Sequence, residues 1–290
     1  MKRYFYKNKD YIIDYEKKVV IINKELHNKL LKNECVYPNT SLKFGYKKIG
    51  GSSLGNILKA TSFSSDFNAF CNYAYLAPKP LVLKYINAGI AVEPKVIELL
   101  GKELNKNRDL DKKLDVVGIS AKDYNFNYFK NFDDLVNGVP DGFITLPDKT
   151  KILLEIKTAG KKKYNEWCSN VPRNYIKQAQ LYSYILGLEK FWIVTSFLEE
   201  SDYEKPEEID VSKRILKNFP FKVNNAEAQD DLNYAKEWYK KYIYNGISPE
   251  FNRIKDGELL EYLECENEEQ WQQLIDKWKR EGKCDEKFEG

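Results

Sequence analysis

The strand-like run Ile152-Leu153-Leu154-Glu155-Ile156-Lys157 is what most limits the fold of this 290-residue chain. A second apolar run, Phe143-Ile144-Thr145-Leu146, precedes it across the turn-forming Pro147-Asp148-Lys149-Thr150, which together predict a hairpin. Positions i and i+2 of a strand share a face, so Glu155 and Lys157 project together while Ile156 points into the core. A carboxylate and a lysine inside an otherwise buried strand are costly unless a site uses them. The hairpin brings Asp141, of Pro140-Asp141, close to that pair from the entry of the partner strand. Two carboxylates and an ammonium on one patch offer hard oxygen ligands of the kind that suit Mg²⁺ or Mn²⁺. Such an ion polarises a phosphate and lowers the pKa of a bound water, with Lys157 placed to orient that water.

The remaining pattern is mixed. Tyr11 to Asp14 and Val19 to Ile22 read as short strands after a Lys7–Asp10 turn, followed by a helix near residues 24–33. Residues 35–45 read as a loop. Helices are expected within 52–78 and 80–105, broken near Pro78, Pro80 and Gly89, and again at 174–186, 226–244 and 256–281. Phe191 to Phe197 reads as a buried strand. These divisions suggest an N-terminal strand and helix appendage at 1–45, a core at 46–250 and an acidic helical tail at 251–290.

Composition narrows the chemistry. There are 47 basic and 44 acidic residues, a net charge of +3. No uncharged stretch reaches the roughly 20 apolar residues of a spanning helix, and the start lacks an apolar leader. The expectation is a cytoplasmic protein without membrane contact. Residues 255–290 hold 12 acidic and 6 basic side chains, a net of −6, so residues 1–254 carry +9. Lys157 to Lys177 holds six basic residues against Glu166 alone, beside the best chemical motif. Five scattered cysteines without CxxC spacing suggest no disulfide framework, zinc site or iron–sulfur cluster. The single histidine, His27, reads as a plain surface residue, so catalysis would rest on carboxylates, lysines, hydroxyls and tyrosines.

Pro140-Asp141…Glu155-Ile156-Lys157 resembles the PD-(D/E)XK nuclease superfamily. Gln178 and Tyr182, spaced as Q-x-x-x-Y, match the motif that follows the core in RecB-like and phage-exonuclease-like members, and Tyr175 shares their helix face. Gly89 to Pro94 is similar to the segment whose glutamate completes the metal site in phage recombination exonucleases. Ile49-Gly50-Gly51-Ser52-Ser53 resembles the I-G-(A/G)-S entry motif of the YqaJ and lambda-exonuclease branch, whose serine contacts a DNA phosphate. The likeness covers about residues 44–200 and points in particular to nucleases of this branch described from mycoplasmas. It implies a restriction-endonuclease-like α/β core, a mixed sheet flanked by helices, carrying an N-terminal appendage and C-terminal helices.

The resemblance further implies metal ligation by Glu93, Asp141, Glu155 and the Ile156 carbonyl, water activation by Lys157, and positioning by Gln178 and Tyr182. The implied activity is a Mg²⁺- or Mn²⁺-dependent DNA nuclease, an exonuclease on duplex DNA with ends, serving recombination, repair or DNA degradation. Lys47, Lys48, Ser52, Ser53, Lys161, Lys162, Lys163, Arg173, Tyr175 and Lys177 are the expected DNA contacts. Lysines stand at 47 and 48 where that branch often has an arginine, which provides a bidentate fork that lysine lacks. Homo-oligomerisation and a recombination partner stay open. So do other readings: Glu93 before Pro94 as a helix start, Gln178 and Tyr182 as helix-surface residues, residues 50–53 as a helix cap, a structure- or sequence-specific defence endonuclease, and a non-catalytic DNA-binding protein. A further option is a tail that competes with DNA, set against an ordinary helix pair around Trp271 and Trp278.

Overall fold

The computed structural model describes residues 3–290, which form two compact units. One comprises residues 50–55 and 83–233 and holds every strand of the large sheet. Its elements are α1 (Lys84–Asn105), β1 (Asp115–Gly118), β2 (Gly142–Thr145), β3 (Lys151–Gly160), α2 (Tyr164–Ser169), α3 (Arg173–Ile185), β4 (Lys190–Leu198) and β5 (Ile215–Lys222). The sheet runs in the order β5-β4-β3-β2-β1, with β4 parallel to β3 and the other neighbours antiparallel. This is the expected α/β core, a mixed sheet flanked by helices.

Alternation along β3 divides its residues between two layers. Ile152, Leu154 and Ile156 join Ala88, Val92, Val96 and Leu100 of α1 in one apolar cluster. Leu153, Glu155 and Lys157 face the other way, the side on which α3 packs against β3 and β4. The stripe at 88, 92, 96 and 100 also explains why α1 is continuous where a break near Gly89 was expected. Glycine costs a helix about 1 kcal/mol and proline about 3, yet Gly89 and Pro94 both sit inside α1 because its buried face is anchored on the sheet. Strands β1 and β5 were not read from the sequence. β1 is a four-residue edge, and β5 carries Pro220, which edge strands tolerate because one side needs no ladder partner.

The other unit contains the antiparallel hairpin Tyr11–Asp14/Val19–Ile22 and the helix Lys24–Leu31, whose cap residue Asn23 accepts from the Leu26 amide at 2.8 Å. The segment expected as a loop holds a small strand pair, Cys35–Val36 with Lys43–Phe44. The stretch read as helical over 256–281 is two helices, Gly257–Glu264 and Glu268–Arg280, the second capped by Asn267 on the Gln270 amide at 3.0 Å. Trp271, Ile275 and Trp278 are buried, and the Tyr11 hydroxyl donates to the Leu263 carbonyl at 2.8 Å, so the two ends of the chain fold together. His27 is a correction. It is half-buried, with Nδ1 2.6 Å from the Tyr46 hydroxyl and Nε2 3.1 Å from the Tyr244 carbonyl. Among the described residues no helix is long and apolar enough to cross a membrane.

Candidate active site

The site exists because β3 outruns its hairpin partner. β2 pairs with β3 only as far as Gly142 opposite Leu154, whereas β4 accompanies β3 to Gly160. From Glu155 onward one edge of β3 is free of a strand. Asp141, the residue just before β2, takes the next ladder position with its side chain, Oδ2 accepting from the Ile156 amide at 2.6 Å. On the other side Gly142 lets β2 lie close to β1, since a Cβ there would lie 2.5 Å from the Val117 carbonyl oxygen.

Glu155 is 0% exposed. Its Oε1 accepts from the Lys157 ammonium, and its Oε2 is buried with no partner among the described residues. Glu93 reaches the same spot from the middle of α1 rather than from a helix start. Burial pushes the Glu93 carboxyl up to about 7, helped by the charge of Asp141 and opposed by Lys157. Asp141 is raised by burial, against the pull of Lys157 and the Ile156 amide. Glu155 is raised by burial and then by Asp141, again against Lys157. Burial disfavours the Lys157 ammonium, but Glu155 and Asp141 outweigh it and hold that pKa above the ordinary lysine value. Three carboxylates thus share one ammonium in a desolvated spot, a deficit of positive charge.

That deficit and the orphaned Oε2 fit a hard divalent cation held by Glu155, Asp141 and Glu93, all oxygen donors. The carboxylates do not close into a ready cage: among the described residues no group of three or more His, Cys, Asp or Glu side chains is assembled as a metal site. They are near enough to raise one another's pKa, and the Lys157 ammonium occupies the other Glu155 oxygen.

Gln178 and Tyr182 are buried on α3, not on its surface. The Tyr182 hydroxyl accepts from the Gly51 amide at 3.2 Å, and its ring lies 4.7 Å from that of Phe129. A Cβ on Gly51 would meet Gln178 Cγ at 2.8 Å, and one on Gly138, whose φ is +151°, would meet the Tyr182 hydroxyl at 2.0 Å. Both side chains therefore pack Gly50–Ser53, where the short strand Ile49–Gly50 passes into the helix Gly51–Ile57, against α3. Ser53 is buried and donates to the Gly50 carbonyl at 3.0 Å, while Ser52 is exposed. Tyr175 joins the charged cluster directly: Lys157 Nζ stands 5.0 Å from its ring centre.

The expected DNA contacts separate into groups. Lys161, Lys162, Lys163 and Arg173 are exposed. Lys47 and Lys48 belong to the other unit. Lys47 donates to Asn72 Oδ1 at 2.7 Å, and burial, then Lys79, press its amine down to about 8. Lys177 is a correction, because it is 5% exposed and bonded to Glu227 at 2.6 Å and Asp231 at 2.5 Å, so its charge is neutralised inside the protein. Lys177→Ala should accordingly lower stability by about 1–2 kcal/mol, since it removes a buried side chain and leaves the half-buried Glu227 and Asp231 without their ammonium. Urea unfolding reads that loss, and the salt slope of DNA binding should not change.

Sequence reasoning missed a cleft of about 540 Å³ beside the end of β3, lined in part by Thr158, Gly160, Tyr85 and Tyr203. Residues 85, 160 and 203 lie too far apart in the chain for any local pattern to join them.

No family model matches the chain. It is 23% identical to the uncharacterized protein MG373 of Mycoplasma genitalium over 243 residues, 70% of this chain and 83% of that protein. Its homolog in Mycoplasma pneumoniae is 22% identical over 263 residues, 76% and 90% of the two chains. Among solved structures, an alkaline exonuclease from Laribacter hongkongensis gives a TM-score of 0.44 at 15% identity, covering 67% of this chain and 87% of that one. A phage-related exonuclease from Haemophilus somnus gives 0.43 at 15% identity, covering 69% and 94%. At these levels of likeness, what the protein does has to be argued from the site itself.

Proposed function

We propose that the protein is a metal-dependent DNA nuclease of the PD-(D/E)XK type that hydrolyses phosphodiester bonds from the ends of duplex DNA, in the cytoplasm, in recombination, repair or DNA degradation. The observation that carries this reading is the fully buried Glu155. One of its oxygens is bound by Lys157, the other has no partner, and Asp141 and Glu93 are near enough to raise its pKa at an open strand edge. A structural role would leave no such deficit, because unpaired buried carboxylates cost stability.

Mg²⁺ or Mn²⁺ held by Glu93, Asp141 and Glu155 would supply charge neutralisation at the scissile phosphate and a more acidic water. Without a metal, Glu155 and Asp141 hold the pKa of the Lys157 ammonium above the ordinary lysine value. The ammonium is placed to orient the attacking water and to meet charge developing on phosphate oxygens. The Tyr175 ring, 5.0 Å from Nζ, limits where that ammonium can swing. Gln178 and Tyr182 hold the start of the helix Gly51–Ile57, where the exposed Ser52 is placed to meet a backbone phosphate. Lys162, Lys163 and Arg173 supply the salt-dependent part of DNA binding. Attack of water on phosphorus breaks the P–O3′ bond and leaves a 5′-phosphate and a 3′-hydroxyl.

The test uses linear duplex DNA labelled at one 5′ end and a matched closed circle, with Mg²⁺ or Mn²⁺. Loss of the linear DNA alone, absent in EDTA and in Glu155→Gln, is the expected result, and the label reports polarity. Cutting of the circle would replace the exonuclease by an endonuclease on the same residues. Intact substrates at every metal concentration would overturn the enzymatic reading.

A further inference from the structure

We infer that the cleft beside the end of β3 binds the unpaired bases of a single nucleic-acid strand, next to the phosphate handled at Glu155. This deepens the nuclease reading and rests on it. The cleft measures about 540 Å³, within the roughly 300–1,000 Å³ of ligand sites. Its floor is Thr158 to Gly160, the continuation of the strand that carries Glu155 and Lys157. At about 3.3 Å per residue, Gly160 lies about 10 Å beyond Lys157, so one strand can lie across both places. A Cβ added to Gly160 would meet nothing within 4 Å, which keeps that end of the floor open.

The walls are aromatic and the rim is cationic. Tyr85 is 53% exposed and is held by the buried Tyr203, the ring centres 5.1 Å apart in an edge arrangement. Tyr175 is held in turn by the buried Trp167, at 5.5 Å. Both outer rings are therefore fixed before a ligand arrives, which lowers the entropy cost of stacking a base on them. The two acids at the rim are already paired, Glu199 with Lys161 at 2.6 Å and Glu200 with Lys84 at 3.0 Å. Among the described residues Lys162 and Lys163 make no ion pair, so their charge is left for phosphates.

Aromatic platforms beside unpaired cations bind single strands with little sequence preference, because every base has a π-face and every nucleotide a phosphate. An intact duplex keeps its bases stacked inside and offers those rings nothing. The cleft therefore selects a strand whose bases are already unpaired.

Full-length protein in EDTA, where no cleavage occurs, should bind a fluorescent six-nucleotide oligothymidylate at least tenfold more tightly than an abasic oligomer of equal length or a blunt hairpin duplex. Tyr85→Ala should lose about tenfold of the thymidylate affinity and none of the abasic affinity, and Tyr85→Phe should keep both. Lys162→Ala with Lys163→Ala should weaken both oligomers and reduce the salt slope. Equal binding of abasic and thymidylate oligomers, or an unchanged affinity in Tyr85→Ala, would overturn the inference. The cleavage test decides the nuclease reading separately. Base-dependent binding by a protein that cuts nothing would keep the cleft and remove the enzyme, while cleavage without base dependence would do the reverse.

Discussion

Glu155→Gln is expected to lower cleavage on the order of a thousandfold while changing stability by no more than about 1 kcal/mol. Lys157→Met is expected to lower cleavage and also to cost about 3 kcal/mol. The difference follows from what each change leaves behind. Glu155 is buried, carries an orphaned oxygen and has its pKa raised by burial and by Asp141, so its negative charge is held at a cost. The amide removes that charge and keeps the shape. Lys157 is the only ammonium set against Glu155, Asp141 and Glu93 in the pKa balance of the three, and methionine would strand them. The double variant should recover most of the stability lost in Lys157→Met, a coupling that a double-mutant cycle reads. Urea unfolding in EDTA measures the stabilities, and degradation of labelled linear DNA in Mg²⁺ measures the rates. Wild-type cleavage by Glu155→Gln, or a stability loss as large as that of Lys157→Met, would show that Glu155 is a structural acid.

The centre of this site was readable because it obeys the simplest rule of local geometry. A period of two places Glu155 and Lys157 on one face, and a turn at 147–150 folds Asp141 back toward them, so one hairpin carries most of the charge. What stayed hidden depends on partners far along the chain. Resemblance alone marks Glu93 as a ligand, with a helix start before Pro94 as its rival, and what no local pattern shows is the packing of Ala88, Val92 and Val96 on the sheet that keeps α1 running through Glu93 and Pro94. Lys177 looked like one more member of a basic stretch, but Glu227 and Asp231, some 50 positions later, fold over it. Tyr182 carried a motif whose spacing was visible and whose partner was not. Its hydrogen bond to Gly51 spans 131 positions. β5 was not read, and its Pro220, which would count against a strand in the middle of a sheet, is tolerated at the edge where β5 lies. The hydrophobic ends were similarly opaque: nothing local says that Tyr11 meets Leu263 or that Arg3 sits 3.9 Å over the Tyr262 ring.

In EDTA the stability of the protein is expected to fall as pH rises from about 5 to about 7.5. The Glu93 carboxyl titrates near its ordinary value of 4.5 in the unfolded chain and near 7 in the folded one, raised by burial and by Asp141. Between those values the folded state holds the proton and the unfolded state has released it, so each step upward in pH favours unfolding. The contribution is complete below about 4.5, is lost through about 7 and is flat above. Because Glu93 is only half-buried, screening reduces the effect to on the order of 1–2 kcal/mol. Carboxylates held low by partners, such as Asp202 with its hydrogen bond from Arg214, contribute with the opposite sign and only in more acidic solution. Comparing the wild type with Glu93→Gln by thermal melting isolates the slope, which the variant should flatten. Mg²⁺ should then act against the trend. A cation binds the ionised carboxylates and displaces their protons, so it should raise the melting temperature more at pH 8 than at pH 5. An acid cluster with no metal to hold would show the falling slope and no pH-dependent rescue, so equal Mg²⁺ shifts at the two pH values would remove the metal from this site. A slope unchanged in Glu93→Gln would show instead that Glu93 does not share the charge of Asp141 and Glu155.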